Sequence, residues 1–80
     1  MILDYEKYWQ NFVHNVKWLR NHYEFSEDKM AEIMDISVDL LRELEKGNGK
    51  DDLSVEVVYK IYSFFGVLPK MLFEESFGDE

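Results

Sequence analysis

The chain is predicted to be all-α, five helices of which the first is extended, and three observations predict it. Apolar residues recur three and four positions apart through successive segments. Each segment opens on an aspartate, serine or proline suited to a helix start, namely Asp4, Ser26, Ser37, Ser54 and Pro69. No stretch alternates apolar and polar residues long enough to require a sheet.

The first helix is predicted from Tyr5 to Tyr23, with Asp4 as its N-cap and Tyr5, Trp9, Phe12, Val13, Val16 and Leu19 on its apolar stripe. Ser26 caps the second, Glu27 and Asp28 suit the positive end of its dipole, and Met30, Ile33 and Met34 supply its inward face. Asp35 then occupies a tight turn. Ser37 caps a third helix of about nine residues, with Leu41 and Leu44 facing inward and Gly47 at the left-handed position after its end. Gly47-Asn48-Gly49-Lys50-Asp51-Asp52 has the composition of a loop. Ser54 caps a fourth helix whose Val55, Val58, Ile61, Tyr62 and Phe65 form a wide apolar face before Gly66. Pro69 starts the fifth, which docks through Met71, Leu72 and Phe73. Residues 1–75 are therefore expected to form one domain, and residues 76–80 an acidic, fraying tail.

Eighty residues, 46% hydrophobic and 16% aromatic, are enough for one compact core without an internal repeat. The absence of cysteine excludes disulfides and thiolate metal sites. No apolar run approaches the roughly 18 residues of a membrane span, and Met1-Ile2-Leu3-Asp4 lacks the basic start of a signal peptide. A soluble, cytoplasmic protein is expected. The formal charge of −8 opposes nonspecific attraction to nucleic acid or anionic lipid. Between Glu24 and Lys46, eight acidic residues stand against three basic ones, a local balance of −5.

Residues 26–46 read as two short capped helices around a tight turn, the outline of a helix-turn-helix. The order of local motifs resembles the DNA-binding domain of the Cro and lambda-repressor helix-turn-helix family, over about Val16 to Phe73. Leu19-Arg20 resembles that family's pair late in helix one. Phe25-Ser26-Glu27-Asp28-Lys29-Met30-Ala31 is similar to its helix-two opening, ending in the small alanine that allows close packing. Glu45-Lys46-Gly47 matches its helix-three ending, and Phe65-Gly66-Val67-Leu68-Pro69-Lys70-Met71-Leu72 is similar to its final junction. The resemblance implies a lambda-repressor-like five-helix fold, an ion pair between Arg20 and Glu45, and a homodimer on double-stranded DNA.

Three departures from that pattern bear on function. Glu27 stands where the family usually has glutamine supporting a phosphate contact, so a donor is replaced by a repelling charge. Asp35 stands where the turn usually has glycine, tolerable because aspartate adopts left-handed dihedrals at some cost. The outward positions of helix three are Val38, Asp39, Arg42 and Glu43, of which only Arg42 is a natural phosphate or guanine reader. Lys29, Lys46 and Lys50 are the candidate phosphate contacts. Val38 and Leu40, with Tyr8, Trp9 and Trp18, are the alternative candidates for an apolar partner surface.

Catalysis has little to stand on. His14 and His22 lie roughly 12 Å apart along one helix, too far to share a metal directly. There is no cysteine nucleophile and no glycine-rich phosphate loop after a strand, and the carboxylates follow only helix-surface patterning. Neither an enzyme, a metal nor a cofactor is expected. The leading expectation is a sequence-specific DNA-binding transcriptional regulator with atypical DNA contacts. The other is a degenerate helix-turn-helix module that binds protein and has lost DNA.

Overall fold

The computed structural model describes residues 5–78, and the expected cap Asp4 lies outside them. Five α-helices follow in order: α1 (Tyr5–His22), α2 (Glu27–Met34), α3 (Val38–Glu45), α4 (Val55–Phe65) and α5 (Pro69–Glu74). A single 3-10 turn, Lys50–Asp52, interrupts the loop between α3 and α4, and no strand occurs among the described residues. The extended α1 packs on both α3 and α5, α2 packs on α3 and α4, and α4 touches α5.

The core is assembled from every helix. Trp9, Phe12, Val16 and Leu19 come from α1, Met30, Ala31 and Met34 from α2, Leu41 and Leu44 from α3, Val57 and Ile61 from α4, and Leu72 from α5. Phe12 stacks between Trp9 and Phe73, which ties α1 to α5 through offset rings. Ile33, Met71 and Phe73 are only half-buried, and of the three Phe73 packs against this cluster.

The expected face of α1 is buried apart from Tyr5, whereas that of α4 is rotated. On α4 the buried residues are Val57 and Ile61, whereas Val55 is 85% exposed and Tyr62 42% exposed. Every wide apolar face offers several directions for docking, and contact with α2 selects the Val57 side. On α1, Tyr5 is exposed and Asn15 is fully buried. Ser54 precedes α4 but its side chain makes no capping hydrogen bond.

The helix ends explain how so short a chain turns so often. At the end of α1, Phe25 N–H donates to Arg20 O and Glu24 N–H to Asn21 O. The same six-to-one and five-to-two pattern recurs after α2 and α3, from Ile36 to Ala31 with Asp35 to Glu32, and from Asn48 to Glu43 with Gly47 to Leu44. Each needs one left-handed residue. Glycine supplies it only at Gly47, while Glu24 (φ 57°) and Asp35 (φ 58°) adopt it with a side chain present.

Beyond α5 the chain stays on the body of the molecule. Asn15 donates to Leu72 O (2.7 Å) and Glu75 O (2.8 Å) and accepts from Phe77 N–H (2.8 Å). The Phe77 ring meets Trp18 edge-on, and His14 Nε2 lies 2.8 Å from Phe77 O. Packing thus continues past the boundary expected at residue 75, because a buried amide satisfies backbone groups that would otherwise fray. The acidic end, Asp79 and Glu80, lies outside the described residues.

Candidate nucleic-acid interface

Helix α3 is held at both ends. Ser37 Oγ accepts from Leu40 N–H at 3.1 Å and so satisfies one orphan donor of its first turn. Ser26 caps α2 in the same way through Lys29 N–H, also at 3.1 Å. At its far end, Trp9 Nε1 donates to Gly47 O at 2.9 Å. Arg20 reaches from α1 to Glu45 in a two-pronged ion pair, Nε to Oε2 at 2.7 Å and Nη2 to Oε1 at 2.8 Å. This geometry fixes orientation as well as distance.

The hydrogen bonds to Glu45 raise the Arg20 pKa above its ordinary value, against the opposing effect of burial. A raised cation stabilises the fold fully below its unfolded pKa, and that contribution fades only in strong alkali. The pair therefore anchors α3 at every pH near neutrality.

With Leu41 and Leu44 inward, the outward side of α3 presents Asp39, Arg42 and Glu43, all exposed, followed by Lys46 at the C-cap. These four charges alternate and sum to zero. Arg42 Nη1 lies 3.8 Å from Asp39 Oδ1 and Lys46 Nζ lies 3.7 Å from Glu43 Oε1, each a pair three residues apart. Arg42 Nε also meets Glu27 Oε2 of α2 at 3.2 Å. Glu43 further accepts from Asn48 Nδ2 at 3.2 Å.

The remaining expected site residues are distributed differently. Lys29 follows Glu27 by two positions, about 160° around α2, so it faces away from the side that touches Arg42. Lys50 is exposed in the 3-10 turn, and neither lysine has a carboxylate within ion-pair distance among the described residues. Val38 is half-buried against the core and so is not the outward residue expected at that position. Leu40 is likewise packed inward, under Gly49: a Cβ on Gly49 would stand 3.1 Å from Leu40 Cδ1. The apolar surface expected around these two residues is thereby reduced, both being half-buried. Trp9 belongs to the core and Trp18 is covered by His22 and Phe77.

Sequence reading overlooked the grip of Glu27 on Arg42. The spacing between them is fifteen residues across a turn, invisible to helical periodicity, although the unusual acid at position 27 was the available signal. Comparison with protein-family models, with characterised proteins and with solved structures finds no match to this chain.

Proposed function

We propose that this chain is a sequence-specific DNA-binding transcriptional regulator of the Cro and lambda-repressor helix-turn-helix type, acting in the cytoplasm as a homodimer. In this reading α3 lies in the major groove, Asp39, Arg42 and Glu43 face the base edges, and Lys46 and Lys50 hold phosphates, while Lys29, on the other side of α2, does not take part. The supporting observation is the alternating charge on the outward face of α3, whose four groups sum to zero, or to −1 with the Glu27 that reaches Arg42. Of the other acidic residues in the segment, Glu45 is already neutralised by Arg20.

The pairs around Arg42 do not prevent such contact. Exposed ion pairs are worth about 0–1 kcal/mol, so releasing Arg42 from Glu27 or Asp39 costs little. Few cations also mean weak nonspecific affinity. With two lysines on phosphates the logarithmic salt slope is about −1.8, which lowers affinity about 12-fold from about 50 to about 200 mM salt.

Selection from a randomised duplex library at low salt, followed by a salt titration, tests this. A saturable site with that shallow slope, weakened in Arg42→Ala, is expected; failure of any duplex to bind saturably at about 50 mM salt overturns the reading. A second reading is favoured by the Glu27–Arg42 contact itself: the only arginine on the α3 face is already engaged by carboxylates. Under it, the acidic α2 surface binds a basic protein partner and no duplex is selected.

A further inference from the structure

Given the duplex-binding reading, on which this rests, we infer that α3 reads G·C base pairs and that Asp39 is a specificity-determining residue accepting a hydrogen bond from a cytosine. The outward face of α3 contains one guanidinium, one ammonium and two carboxylates. Arginine and lysine match the two major-groove acceptors of guanine, and carboxylates match the amino group of cytosine. The residues that read A·T pairs are missing from this face. It has no asparagine or glutamine to pair with adenine, and its one apolar residue suited to a thymine methyl, Val38, is half-buried against the core.

Geometry joins the two readers. Asp39 is in the first turn of α3, the end of a recognition helix that approaches base edges, and its side chain is 96% exposed. Arg42 follows one turn later, with its Nη1 3.8 Å from Asp39 Oδ1. That separation is close to the roughly 3.4 Å rise between stacked bases. A guanidinium on guanine O6 and N7 therefore leaves the carboxylate beside the N4 amino group of a cytosine in the same or the adjacent pair. The guanidinium, shared with Glu27 at 3.2 Å, also offsets part of the field that would otherwise keep a carboxylate out of the groove. Adenine also carries an amino donor, but its N7 lone pair repels the second carboxylate oxygen, and thymine presents only an acceptor there.

Selection of wild-type protein and Asp39→Asn from the same randomised duplex library tests the assignment. The wild type is expected to enrich a site with G·C pairs at the central α3 contacts, and exchanging the Asp39-dependent cytosine for thymine should weaken binding about 10- to 100-fold. In Asp39→Asn the preference at that one position should move from cytosine to adenine, the rest of the site being unchanged. Replacement of the Arg42-contacted guanine by 7-deazaguanine, which lacks N7, should weaken the unmutated protein in a separate binding measurement. An enriched site that is A·T at these positions, or a preference that Asp39→Asn leaves unmoved, overturns the assignment while leaving duplex binding intact. Absence of any enriched duplex overturns both.

Discussion

Asn15 carries two amide hydrogens and a carbonyl oxygen into a site without solvent, and all three of its bonds run to the chain around and beyond α5. Periodicity marks it as an interruption of the α1 stripe, and nothing in the local sequence says where its partners lie, because they are 57 to 62 residues away. Asn15→Asp keeps the shape but removes both donors and buries a charge against two carbonyls. A loss of about 3 kcal/mol is expected in urea unfolding, with the midpoint lowered and the slope unchanged. Glu27 is the corresponding residue at the candidate interface. Glu27→Gln removes the carboxylate that holds Arg42 Nε at 3.2 Å and offers an amide donor in its place. Duplex affinity at low salt is expected to rise by up to about fivefold, read by fluorescence anisotropy; a fall in affinity would mean that Glu27 supports the contact rather than competing for Arg42.

At the scale of elements, the helix starts and stops were legible because they are local. The serine caps of α2 and α3 and the left-handed Gly47 act within four or five residues of themselves. The orientation of α4 was not, since Val55, Val57, Val58, Ile61 and Tyr62 spread over nearly half of its circumference, and the surfaces of α2 and α5 decide which of them are buried. The turn between α2 and α3 depends on Asp35 at φ 58°, ψ 46°. Asp35→Gly relieves that left-handed strain and should stabilise the fold by about 1 kcal/mol, a rise of about 4–8 °C in Tm by calorimetry. The same change in Gly47, at φ 92°, runs the other way: Gly47→Ala should destabilise by about 1 kcal/mol, although no atom lies within 4 Å of the added methyl.

At the scale of the whole molecule, the segment after α5 acts as a strap across α1. Removing residues 76–80 takes away the Phe77 amide that Asn15 accepts and uncovers the Trp18 indole that Phe77 meets edge-on. A loss of about 2 kcal/mol is expected, together with a red shift of tryptophan emission, since Trp9 stays buried and Trp18 becomes wet. Emission and stability both unchanged would show the strap to be dispensable. By itself the sequence determined the helical class, the five elements and the excess of acid around the turn, because periodicity, capping and charge are properties of neighbouring residues. Tertiary structure alone decided that Val38 and Leu40 turn inward, that Lys29 faces away from Arg42, and that the outward charges of α3 cancel in pairs. Those outcomes depend on how helices distant in the chain rotate about their axes as they pack, and a one-dimensional pattern carries no record of that rotation.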